Sequence, residues 1–205
     1  PASGPAAAPG TAILERTLVE DLSIGVAEGE RAYEFARLAG VARDGRGRIW
    51  AADFSAGEVR AFDADGRQVL TVGRPGGGPA ELQGPCCPAF DARGRLWVRD
   101  GGNARYQVFR IDGDRATLDD VVRMAHADVN RIVPTTFDAD GRVVDVGFRP
   151  DLAAGSPRSA RLHLDPDGSV AYHTLVHAGP DDSTGVHIVE RATPDGTMRF
   201  FFHQP

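Results

Sequence analysis

Lysine is absent from the 205 residues, so all 23 basic side chains are Arg. A phosphate-cradling GxxxxGK[ST] loop is thereby excluded, because its chemistry needs the Lys ammonium. The arginines form no cluster that outweighs the 29 acidic residues, and the net charge is −6. A face that tracks nucleic acid is therefore not expected. No run of about 18 apolar residues occurs, so nothing in the sequence reads as a membrane-spanning helix. A GxSxG nucleophile elbow is also missing, and no Ser/His/Asp set can be assembled. Cysteine is limited to the neighbours Cys86 and Cys87. They cannot staple distant parts of the chain, and neither CxxC nor Cys/His zinc spacing is present. A bond between neighbours closes a very small, strained ring, so two free, partly buried thiols are the expectation and a vicinal disulfide the alternative.

What is present points to a β-rich domain. Hydrophobic residues make up 41% of the chain, enough for a core in one domain, while 25 Gly and 14 Pro are too many for a helical bundle. The acids are 21 Asp against 8 Glu, a bias that suits turns better than helix surfaces. The opening PASGPAAAPG lacks both charge and an apolar signal core. Residues 1–12 read as a flexible spacer left after removal of something upstream, which makes export the expected fate.

A tandem repeat organises the rest. Residues 44–53 (DGRGRIWAAD) return 47 positions later as residues 91–100 (DARGRLWVRD), and residues 138–144 (DADGRVV) follow after another 47. A fourth mark, TPDGTM at 193–198, comes 55 after the third. The excess of eight falls between two turn signals, where residues 149–157 resemble an inserted loop. The pairs Glu34-Phe35, Glu81-Leu82 and Asp128-Val129 keep the same step. Within each unit the apolar pattern alternates with period two between Asp/Gly turns, so each unit is two hairpins. Four short antiparallel strands in about 40 to 50 residues match one blade of a β-propeller.

Residues 100–109 (DGGNARYQVF), coming after Gly94-Arg95-Leu96-Trp97-Val98, resemble the NHL repeat family, and residues 74–82 (RPGGGPAEL) look like that family's inter-blade loop. The similarity covers about residues 25 to 205. It implies a six-bladed propeller, most like the bacterial extracytoplasmic six-bladed proteins, and hence a periplasmic or secreted location. Copy one departs from the pattern with Glu58 at the place of Arg105, and copy three with Gly147 at the place of Asp53 and Asp100.

The expected architecture is all-β, with about three and a half four-stranded antiparallel blades of a six-bladed ring across residues 13–205. Residues 13–24 read as an outer strand without a blade of its own. The units follow at about 25–73, 74–124, 125–178 and 179–205, the last incomplete. A fragment or truncated product with an open arc follows from this count, and a closed four-bladed ring is the alternative. An unpaired apolar edge such as Phe200-Phe201-Phe202 invites self-association.

Chain direction places the tight a–b and c–d turns on one face and the b–c loops and d-to-a crossings on the other. Long, variable loops carry function more often than tight turns, so a ligand is expected on the second face, near the axis. Arg37, Arg74, Arg131 and Arg149, with His187, are the candidate ligand-binding residues. Their guanidinium groups suit an acidic or carbohydrate ligand. A purely structural role, pairing with Glu34, Glu81 and Asp128, competes with that reading. His163, His173 and His177 fall on the outer strands of one blade, and only His126 and His187 lie near crossings. The resemblance also raises the amidating lyase propellers, whose zinc ligands are His side chains from different inner loops, but no matching set of three is found. Asp53 and Asp100 repeat at one position and are expected to cap turns, while Trp50 and Trp97 are expected to pack between blades. No catalytic residue, metal or cofactor is assigned. The functional expectation is a non-catalytic module binding a protein, peptide or glycan, with a metal-dependent lyase- or lactonase-like enzyme as the alternative.

Overall fold

The computed structural model describes residues 20–124, 134–149, 158–166, 170–178, 186–193 and 196–203, with side chains described at 20–124, 134–144 and 163–166. All regular structure there is β, apart from two single-turn 3-10 helices at Arg31–Tyr33 and Gly101–Asn103. The first sheet is an antiparallel meander of β1 (Leu38–Arg43), β2 (Ile49–Asp53), β3 (Glu58–Phe62) and β4 (Gln68–Val72). The second repeats it 47 residues on, with β5 (Pro85–Phe90), β6 (Leu96–Asp100), β7 (Arg105–Asp112) and β8 (Arg115–Arg123). These are the two-hairpin units that the period-two pattern predicts. β1 packs along β5, whereas the outer strands β4 and β8 barely meet, so the two sheets fan outward from the side of their first strands.

The turns explain why the strands end where they do. At each a–b turn one Asp folds back on the chain: Asp44 Oδ1 accepts the Arg46 and Arg48 amides, and Asp91 and Asp138 do the same for their own units. Asp tolerates this geometry because its short carboxylate reaches amides two and four positions ahead. The other carboxylate oxygen takes the indole of the following strand, with Trp50 Nε1 on Asp44 Oδ2 and Trp97 Nε1 on Asp91 Oδ2, both at 3.0 Å. Each indole then packs edge-on against the first strand of the next unit, Trp50 on Phe90 at 5.6 Å and Trp97 on Phe137 at 5.4 Å. The tryptophans thus sit in the seams between sheets, as their repetition suggests.

The third sheet has six strands in the order β14, β13, β12, β11, β10, β9: Gly196–His203, Val186–Thr193, Val170–Ala178, Arg158–Leu164, Val143–Arg149 and Thr136–Phe137. Residues 186–203, where the sequence places the start of a fourth unit, pair antiparallel with β12 and extend this sheet. The physical reason is the edge itself: β12 offers an open row of amides and carbonyls, and a following hairpin satisfies them. The inserted loop lies mostly at 150–157, outside the described residues, as does the spacer at 1–12. No helix among the described residues is long and apolar enough to cross a membrane.

Candidate functional site

The site grows from a bulge repeated in the first strand of each unit. In β1 the register slips by one residue between Leu38 and Val41, and in β5 it slips between Cys86 and Ala89. An extra residue in one strand bends it and re-aims its side chains. The extra residues take left-handed backbone, Gly40 with φ 133° and Cys87 with φ 57°. Gly40 is required there: a Cβ would stand 3.1 Å from the Cys87 amide nitrogen and 3.2 Å from Pro88 Cδ. Pro134 and Thr135 occupy the same repeat positions in the third unit, and the Thr135 hydroxyl donates to the Cys87 carbonyl oxygen at 2.7 Å.

Together these bulges enclose a pocket of about 500 Å³, lined by Leu38, Ala39, Gly40, Val41, Cys87, Pro88, Pro134 and Thr135. Equivalent positions of three consecutive units therefore build one concavity along the side where the sheets converge. Its wall is apolar, and Leu38 and Val41 stand 54% and 62% exposed. Such exposure is unusual for large aliphatic side chains brought together on one surface. Beneath it, Ala39, Cys86 and Cys87 form a small buried cluster with Phe54 against it. Cys86 and Cys87 are joined as a disulfide, which corrects the expectation of two free thiols. The bulge supplies the reason, since its left-handed Cys87 turns consecutive side chains that would otherwise point to opposite faces.

The second face is braced by buried ion pairs. Asp53 accepts the amides of Ala36, Arg37, Ser55 and Ala56, so it caps the b–c turn and the entry to β1 at once. Burial pushes its carboxyl up, but those amides and the Arg60 charge outweigh that and hold its pKa below the ordinary value. Asp100 does the corresponding work on Gln83, Asn103, Arg105 and Gln107. Both are structural caps, as expected.

Of the candidate ligand-binding residues, Arg37 is exposed just before β1, its guanidinium stacked on the Phe54 ring at 4.3 Å, beside the pocket's underlying cluster. Arg74 instead lies over Glu81, donating through Nε at 3.1 Å and Nη2 at 2.8 Å to one carboxylate oxygen. The Gly78 amide and Arg74 hold the Glu81 pKa down. That pair lies within a single crossing, and the Arg74 side chain remains 75% exposed. Arg131 and His126 lie outside the described residues. Arg149 ends β10 opposite Arg158, and His187 in β13 pairs with Phe202; their side chains are not among those described. No hydrogen bond or ion pair joins Arg37 to Arg74. Among the described residues no three His, Cys, Asp or Glu side chains converge to hold a metal.

His163 has a role that the sequence did not disclose. Its Nδ1 lies 2.9 Å from Asp138 Oδ2, the place taken by an indole in the first two units. The third unit has Val144 at the tryptophan position, and His163 is its cross-strand partner. The missing signal was the pairing register, which no spacing along the chain reveals.

No family model matches the chain, and neither does any curated protein. Solved structures do. A protein described as a 6-phosphogluconolactonase from Bacteroides uniformis matches over 88% of this chain and 58% of its own, at 15% identity and a TM-score of 0.50. A catalytically inactive virginiamycin B lyase from Staphylococcus aureus, solved with quinupristin, matches over 84% and 59% at 12% identity and 0.46. A streptogramin B lyase matches over 82% and 55% at 14% identity and 0.47. The fold is a β-propeller. Two of its blades are the four-stranded antiparallel sheets described above, the third unit lies in the six-stranded sheet, and the pocket lies on the inner-strand side. The chain spans 55% to 59% of the length of these three proteins.

Proposed function

We propose that the chain is a non-catalytic binding module of a six-bladed, NHL-type propeller, exported from the cytoplasm, that takes a protein, peptide or glycan ligand at its axial pocket. The observation that carries this reading is the pocket itself, built from equivalent repeat positions of three consecutive units, two of them bulged. Its apolar wall suits an aliphatic or aromatic group of the ligand, and Arg37 on the same face suits a nearby acidic or hydroxyl group. A disulfide between Cys86 and Cys87 is in keeping with an oxidising compartment.

The test is to screen the labelled protein against peptide and glycan arrays. Binding that is lost in both Leu38→Asp and Val41→Asp, and kept in Asp140→Ala on the opposite face, supports the reading. Binding indifferent to the pocket changes contradicts it. So does zinc or calcium co-purifying at one ion per chain and lost on His126→Ala or His187→Ala, which favours the metal-dependent enzyme instead.

A further inference from the structure

The Cys86–Cys87 disulfide lies in the pocket wall, yet ligand binding makes no use of its chemistry. The two sulfurs are not equally placed. Both are packed with Ala39 in the buried cluster that Phe54 covers, but of the two only Cys87 also lines the pocket. The backbone at Cys87 is fixed from both sides, by the Thr135 hydroxyl on its carbonyl and by Gly40 against its amide. A reagent coming from solvent through the pocket therefore meets Cys87. Val41, 62% exposed, stands on that approach.

We propose that Cys86–Cys87 is a thiol–disulfide exchange site, entered through the axial pocket, whose co-reactant is a small thiol. It does not depend on the pocket having a ligand of its own. The thiolate of the small thiol attacks Cys87 Sγ, and a mixed disulfide forms as the Cys86–Cys87 bond breaks. Cys86 leaves with the electron pair and takes up a proton. A second thiolate, from the same dithiol or from another monothiol, then attacks the small molecule's sulfur in the mixed disulfide. Cys87 is released as a thiolate and protonated, and the small thiols depart as a disulfide. Two electrons and two protons pass to the protein. Opening the ring frees the Cys87 side chain from its neighbour and alters one wall of the pocket, so the redox state of the pair sets the pocket's shape.

The experiment uses the whole protein, purified in air and kept folded. Thiol titration in denaturant finds none before treatment and two per chain after dithiothreitol under native conditions, with the circular dichroism spectrum unchanged. With reduced glutathione and rapid acid quenching, peptide mapping places the adduct on Cys87. Val41→Trp, which plugs the approach without replacing either Cys, slows reduction by roughly tenfold or more, because exchange rate follows access to the sulfur. Two thiols in the untreated protein overturn the proposal. A bond that yields only on unfolding, an adduct on Cys86, or an unchanged rate in Val41→Trp overturns it as well. If Val41→Trp fails to fold, the wild-type titration and the adduct position still decide.

Discussion

Arg60 and Arg105 deliver their guanidinium groups to equivalent carbonyl oxygens, those of Glu34 and Glu81, from positions that are not equivalent in the repeat. Blade one carries Glu58 and Arg60 where blade two carries Arg105 and Gln107. In blade one Glu58 accepts from Arg60 Nε and Nη2, in blade two Arg105 donates to Asp100 and Gln107 fills the remaining place on the Glu81 carbonyl. The exchange of a charge between neighbouring positions leaves the crossing braced in the same way.

That equivalence predicts a double-mutant cycle. Arg60→Gln alone takes the guanidinium charge away from the buried carboxylates of Asp53 and Glu58 and costs about 3 kcal/mol, the usual penalty for breaking a buried pair from one side. Glu58→Arg alone crowds two guanidinium groups and destabilises similarly. The two changes combined reproduce blade two and return stability to within about 1 kcal/mol of wild type. Chemical denaturation of the four proteins measures the coupling.

The third blade predicts a second exchange. His163→Ala removes the ring nitrogen from Asp138 and costs about 1 to 2 kcal/mol, since a buried carboxylate loses a partner. Adding Val144→Trp copies the first blade, where Trp50 faces Ala61, and recovers part of that loss. Thermal unfolding of the single and double variants reads the difference.

Acid sensitivity follows from the caps. At Asp44 and Asp91 burial is the largest influence and pushes the carboxyls up, but the indole, the neighbouring Arg and the turn amides together hold them below the ordinary value of 3.8. Asp53 is held down in the same sense. A pKa lowered by folding contributes stability that is full above the unfolded value and is lost as pH falls through the folded one. Stability is therefore level above about pH 5 and falls steeply below about pH 4. Asp44→Asn with Asp91→Asn lowers the plateau and flattens that acid limb, as an unfolding series across pH shows.

Much of the fold was legible because a repeat writes each structural decision more than once. The 47-residue step of Trp50 and Trp97 locates both seams, and the Asp/Gly turns locate the strand ends. The site was harder to read. Gly40, Cys87 and Pro134 keep the same 47-residue step but share no side-chain chemistry, and the bulge that Gly40 and Cys87 have in common leaves no mark in the residue types. The Cys86–Cys87 bond was the less favoured alternative because it depends on left-handed backbone at Cys87, which spacing along the chain does not reveal. Arg74 could be read from the sequence either as a ligand contact or as a partner of Glu81, and the structure shows the Glu81 contact.

The account stands on consecutive repeats forming blades that meet at equivalent seams. Nuclear Overhauser spectroscopy of the two tryptophans tests this most directly. The expected result is that the Trp50 indole shows cross-peaks to the Phe90 ring and the Trp97 indole to the Phe137 ring, at ring separations near 5.6 and 5.4 Å. Cross-peaks confined to each tryptophan's own unit, or different kinds of neighbour for the two, contradict the account.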